Sequence, residues 1–159
     1  LVRSVRMVQP GRAEVKALAT WAAVSHFDRI ADESILAEWR RTGVYGVLNA
    51  RTGQKLPMGV EYLDDVLGNL ARLDLLAAAG RLRAPWLVVH GTADETVPFA
   101  EAEALAVAAG ARARLVALDG AGHTFGAVHP FAGATPHLEA AAGATLGHFR
   151  AALTVAADG

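Results

Sequence analysis

The sequence contains no cysteine. That absence removes disulfides, thiolate zinc sites and a cysteine nucleophile, and it leaves the redox compartment open, since such a chain folds in either environment. Serine is scarce, with Ser4, Ser25 and Ser34 the only three. Positive charge is not in excess: 15 Lys and Arg stand against 16 Asp and Glu, a net charge of −1. The electrostatic footprint of a nucleic-acid binder is therefore missing, and no nucleic-acid partner is expected. No apolar run approaches the length of a membrane span, so no membrane partner is expected either. The chain starts Leu1-Val2-Arg3-Ser4, with neither a methionine nor a signal-peptide pattern. The expectation is a C-terminal part of a longer protein whose true N-terminus is missing. Localisation is then open, with cytoplasmic as the default, and homo-oligomerisation is open too.

What is present is apolar: 53% of the 159 residues are hydrophobic, enough for one sizeable core and one domain. The organising stretch is residues 85–98, Pro-Trp-Leu-Val-Val-His-Gly-Thr-Ala-Asp-Glu-Thr-Val-Pro. Its unbroken apolar run, from Trp86 to Val89, is the pattern of a strand buried on both faces, as in a parallel sheet. Gly91 ends the strand and Asp94 falls on the loop at its C-terminal end, the edge where open α/β sheets place their chemistry. A second such unit follows: a strand over residues 113–118, then Asp119-Gly120-Ala121-Gly122-His123-Thr124-Phe125-Gly126.

The remaining chain is legible in outline. Residues 15–24 read as a buried strand, although their alanines would also allow a helix. Residues 34–41 read as a short helix with Asp32 as N-cap. Residues 44–49 and 54–58 suggest a hairpin, its second strand demoted to an edge by Pro57. Residues 61–73 are amphipathic, with Leu63, Val66, Leu67, Leu70 and Leu73 at helical spacing. Residues 75–79 form a further turn of helix stopped by Gly80. Residues 99–109 form an alanine-rich helix between Pro98 and Gly110. A closing helix begins at Thr135-Pro136, with Leu138, Ala142, Leu146, Phe149 and Leu153 along one face.

With an acid after one strand and a histidine after the next, the chain resembles the α/β-hydrolase superfamily, most closely its dienelactone-hydrolase and prolyl-oligopeptidase-like branches. The residues that carry the resemblance are His90-Gly91-Thr92-Ala93-Asp94-Glu95-Thr96-Val97-Pro98 and Gly120-Ala121-Gly122-His123-Thr124-Phe125. It implies an α/β fold: the C-terminal portion of an α/β-hydrolase, a mostly parallel sheet flanked by helices with a small lid insertion. Within one partial domain, 1–159, residues 13–29 would form a core strand region. Residues 30–83 would be the lid-like insertion, packed over the C-terminal strand edge. Residues 84–157 would be the core carrying the Asp and His loops. The implied activity is hydrolysis of an ester, amide or peptide bond through an acyl-serine intermediate, on a small-molecule ester, amide or short peptide substrate.

The same resemblance assigns roles. Asp94 would be the triad acid and His123 the general base, with a carboxylate oxygen roughly 2.6–3.2 Å from Nδ1. The family's nucleophile sits on a Gly-x-Ser-x-Gly elbow, and none of the three serines is so flanked. No nucleophile is expected in this chain; it should lie upstream of Leu1, and the chain alone should be inactive. Trp21, His26 and Tyr45 are candidate substrate contacts, with core packing the competing reading for Trp21 and Tyr45. For Asp94 itself the competing reading is a turn residue. His90 is expected to pack at the strand end against the floor of the site, and no metal is expected, because the spacing of His90, Asp94 and His123 matches no common ligand pattern. No cofactor is expected: Gly120-Ala121-Gly122 lacks the third glycine and following helix of a dinucleotide loop. Two further readings stay open, a non-catalytic fragment or binding module that retains the scaffold, and an acyltransferase.

Overall fold

The computed structural model describes residues 15–27, 32–49 and 52–155. The chain divides into two compact units, one built from the described residues up to Ser25 and from Leu75 onward, the other from His26–Asp74.

The first unit is a parallel sheet clad by helices. Its strands are β1 (Leu18–Trp21), β4 (Trp86–Gly91) and β5 (Ala113–Leu118), in the order β1-β4-β5. The pairings run from Leu18 opposite Trp86 to Trp21 opposite Val89, and from Trp86 opposite Ala113 to Gly91 opposite Leu118. Every residue of the central strand β4 is buried. Alternate side chains go to opposite faces. Trp86 and Val88 join Ala102, Leu105 and Ala109 of helix α4 (Phe99–Ala109) and Ala79 of helix α3 (Leu75–Gly80). Leu87 and Val89 join Ala121, Phe125 and Ala141, the last from helix α5 (Pro136–Val155). With both faces covered, β4 has no place for polar alternation, which is why its sequence reads as a continuous apolar run. Each of those large side chains contributes about 1.5–3 kcal/mol by leaving water.

The helix ends follow from local chemistry. Thr135 caps α5: its hydroxyl accepts from the Leu138 amide at 3.2 Å and its carbonyl from the Glu139 amide at 2.9 Å. Pro136 occupies the first helical position, where a missing N–H costs nothing. Two expectations need correction. β1 is shorter than residues 15–24, because Ala22 takes a positive φ of 47° and turns the chain off the sheet. On α5 the packed side chains are Leu138, Ala141 and Ala144, while Leu146 and Leu153 are exposed. Small side chains let the helix lie close to the sheet, so the large-residue stripe is not the buried one.

The second unit contains helix α1 (Glu33–Thr42), a two-stranded antiparallel ribbon β2 (Val44–Leu48) and β3 (Lys55–Gly59), and helix α2 (Val60–Gly68). Asp32 Oδ1 accepts from the Ser34 amide at 2.8 Å and caps α1, as expected from sequence. Gly43, at φ 75°, ends that helix and returns its N–H to Trp39 O at 2.8 Å. Pro57 lies opposite Gly46 in the ribbon. The helix expected through Leu73 stops at Gly68, and residues 69–73 continue as turns. Trp39, Leu63 and Val66 are the buried apolar residues here, Trp39 ringed by Tyr45 at 5.2 Å and Tyr62 at 6.3 Å.

Candidate active site

The loops that follow β4 and β5 are stitched to each other before either presents a side chain. The Thr92 amide donates to Leu118 O at 3.0 Å and the Ala93 amide to Ala121 O at 3.1 Å. Thr92 Oγ1 accepts from the Gly120 amide at 2.9 Å and donates to Asp119 Oδ1 at 3.2 Å. Strand pairing already fixes the two strand ends side by side, so these bonds hold Asp94 and His123 at one edge of the sheet.

There Asp94 Oδ2 accepts from His123 Nδ1 at 2.9 Å. The other carboxylate oxygen, Oδ1, accepts from the Thr96 and Val97 amides, each at 2.9 Å. Asp94 is thus both a turn-forming residue and the partner of His123, and the two readings of it do not compete. Its side chain is fully buried, whereas that of His123 is 37% exposed. Because a carboxylate oxygen only accepts, the proton of the neutral His123 ring sits on Nδ1, and Nε2 keeps a free lone pair. Among the described residues no hydroxyl is hydrogen-bonded to it.

Burial pushes the Asp94 carboxyl up, but the Val97 amide, His123 and the Thr96 amide together outweigh it, so its pKa lies below the ordinary carboxylate value. A depressed folded-state pKa stabilises the fold above the unfolded pKa of about 3.9, and that contribution is lost as pH falls through the lower folded value. The unfolding free-energy gap between wild type and Asp94→Asn is therefore expected to be full at neutral pH and to shrink below about pH 4. Urea unfolding at a series of pH values measures it; a gap that stays constant down to pH 2 would contradict the geometry.

The other candidates have different surroundings. Trp21 donates its indole N–H to Thr145 Oγ1 at 2.8 Å and meets the Phe125 ring edge-on at 5.5 Å, both on the α5 side of the sheet. Tyr45 packs on Trp39 in the second unit, and His26 opens that unit with an exposed side chain. Ser25 is buried, its amide 2.7 Å and its hydroxyl 3.5 Å from Glu101 Oε2. The Ser34 hydroxyl donates to Asp32 Oδ1 at 2.6 Å. Ser4 lies outside the described residues. Among the described residues no group of three or more metal-ligating side chains is arranged to hold a metal ion, and no helix is long and apolar enough to cross a membrane.

Glu101 escaped the sequence reading, and His90 was read only as packing at the strand end against the floor of the site. Glu101, in the first turn of α4, is buried against Ser25 and ties the chain leaving β1 to the helix after the Asp94 loop. His90, at the end of β4, is fully buried with Nε2 2.8 Å from Val97 O and 3.3 Å from Asp94 Oδ2. For His90 the strand-end position was legible but not its Val97 and Asp94 neighbours; nothing in the spacing of Glu101 marked its role.

No protein-family model and no curated protein matches the chain. Among solved structures, Est1E from Butyrivibrio proteoclasticus is similar at 21% identity with a TM-score of 0.50, over 88% of this chain and 52% of that one. The esterase domain from a Rhodothermus marinus protein is similar at 24% identity with a TM-score of 0.48, over 72% of this chain and 45% of that one. The chain spans about half the length of either structure. The likeness to Est1E is one of fold: mixed α/β, with a parallel sheet flanked by helices.

Proposed function

We propose that the chain is the C-terminal part of a serine acyl hydrolase, with His123 as general base and Asp94 as the acid that orients it. The observation that carries this is the 2.9 Å bond from His123 Nδ1 to a buried, ionised Asp94, with Nε2 left bare. In that arrangement Nε2 can take the proton of a serine hydroxyl as its oxygen attacks an ester, amide or peptide carbonyl. It then returns the proton to the leaving alcohol or amine, and a water repeats the sequence to release the acid. Asp94 stays ionised throughout and stabilises the imidazolium. Likeness of scaffold alone would not carry this reading; the Asp–His geometry supports it. The serine and the amides that bind the oxyanion belong, in this proposal, to sequence upstream of Leu1. Residues 30–83 take, in this proposal, the role of a lid that selects the acyl group, and acyl transfer to an alcohol or amine would use the same catalytic pair.

One observation favours a second reading, a non-catalytic binding module: no serine in the chain has the flanking glycines of a nucleophile elbow. A fluorophosphonate that captures activated serines separates the two. Purified residues 1–159 should remain unlabelled and show no burst of acyl-enzyme. The longer polypeptide should label stoichiometrically at one serine upstream of Leu1. Labelling at Ser4, Ser25 or Ser34 would refute the placement of the nucleophile, and a longer polypeptide that resists the probe would favour the binding module.

A further inference from the structure

We infer that His90 is a positioning residue for the Asp94–His123 pair: it closes residues 94–97 around the carboxylate by holding Val97 O, with Nε2 beside the Asp94 oxygen that His123 uses. This rests on the triad reading above for its functional meaning, although the contact is observable without it.

The ring of His90 is fully buried, with the edge of Phe99 6.0 Å away. An imidazole at that position must find partners or bear the cost of dehydration, a cost that valine or leucine would avoid. It finds them on one side only. Nε2 lies 2.8 Å from Val97 O. A carbonyl oxygen only accepts, so Nε2 carries the proton, and the neutral ring leaves Nδ1 bare. Among the described residues that buried Nδ1 has no partner. A half-satisfied histidine is thus retained beside the site, and its one satisfied nitrogen faces the Asp94 loop.

The same Nε2 is 3.3 Å from Asp94 Oδ2, the oxygen that accepts from His123 Nδ1 at 2.9 Å. Val97 meanwhile gives its amide to Asp94 Oδ1 and its carbonyl to His90. Both ends of one residue are therefore engaged, one by the carboxylate and one by the ring. The carboxylate cannot turn about its Cβ–Cγ bond without breaking a bond at either oxygen, and Oδ2 stays aimed at His123. Of the two rings, His123 makes the hydrogen bond to Oδ2; His90 Nε2 stands 3.3 Å from it with its N–H engaged by Val97 O.

The consequence is measurable on residues 1–159 without turnover, by NMR with labelled histidine. In wild type, His90 is expected as the Nε2–H tautomer, bonded to Val97 O. In His90→Leu, Val97 O loses that donor and residues 94–97 loosen, so the His123 Nδ1–H, held by its bond to Asp94, should exchange with solvent about ten-fold faster than in wild type. In His90→Gln, whose side-chain amide can place an N–H near the former Nε2, the exchange rate should return to wild type. A role confined to filling space predicts no acceleration. A His90 ring protonated on Nδ1, an exchange rate unchanged in folded His90→Leu, or a failure of His90→Gln to restore it would each overturn the inference. Should His90→Leu not fold, the wild-type tautomer and the His90→Gln exchange rate decide. The triad reading fails by a different result, full turnover in His123→Ala, so the two failures are distinguishable.

Discussion

Under the serine-hydrolase reading proposed above, in a polypeptide that joins this chain to the proposed upstream serine, His123→Ala is expected to lower kcat for an ester by roughly 10⁴-fold or more, because triad members act as a unit. KM should change little, since the lost proton transfer belongs to the transition state. Asp94→Asn should be comparably severe for a reason specific to this geometry. The Thr96 and Val97 amides can donate only to an oxygen, so they fix the new side-chain oxygen at the former Oδ1. The amide nitrogen must then face His123, where it donates to Nδ1 and forces the imidazole proton onto Nε2, the wrong tautomer for a base. Ser25→Ala is the matched control: it removes a hydroxyl 3.5 Å from Glu101 and leaves the 2.7 Å bond from the residue 25 amide intact. Steady-state rates on a chromogenic ester measure all three. Full activity in His123→Ala, or a loss in Ser25→Ala as large as in His123→Ala, would sink the assignment.

What could be read from the sequence divides along a physical line. The central strand was legible because burial on both faces leaves an unbroken apolar run, and Asp94 and His123 could be placed at one sheet edge because each lies on the loop that leaves a strand, β4 or β5. Helix ends were legible where a single residue type dictates them, as at Asp32, Gly43 and Thr135. β1 was overextended because alanine and valine continue past Trp21, and nothing in composition announces the left-handed turn at Ala22. The packed face of α5 was misplaced because leucines advertise hydrophobicity while alanines permit close approach. The hydrogen-bond partners of His90 and Glu101 were hidden for another reason. Each depends on a partner supplied by a loop, Val97 for His90 and the Ser25 amide for Glu101, and periodicity carries no information about loop backbone.

Gly91→Ala should damage both stability and turnover, and it tests how closely the two loops must approach. Gly91 ends β4 opposite Leu118, directly beneath the chain that leads from β5 to His123. A methyl group on its Cα would overlap the Ala121 carbonyl oxygen, and would stand 2.6 Å from the Ala121 carbonyl carbon and 3.0 Å from its Cβ. These obstacles are backbone or the first side-chain atom, so no rotamer change relieves them. That same carbonyl accepts from the Ala93 amide at 3.1 Å, one residue before Asp94. Pushing Ala121 outward therefore breaks a bond between the loops and displaces His123 two residues later. Overpacking of this kind costs about 1–3 kcal/mol. A catalytic group moved by about 1 Å loses roughly 10²-fold in rate. Gly147→Ala supplies the contrast, since a Cβ there meets nothing within 4 Å on α5 and should be neutral or slightly stabilising. Urea unfolding of residues 1–159 reads the first effect, and ester turnover by the longer polypeptide reads the second. If Gly91→Ala proved as harmless as Gly147→Ala by both measures, the loops would not be held by the contact at Ala121.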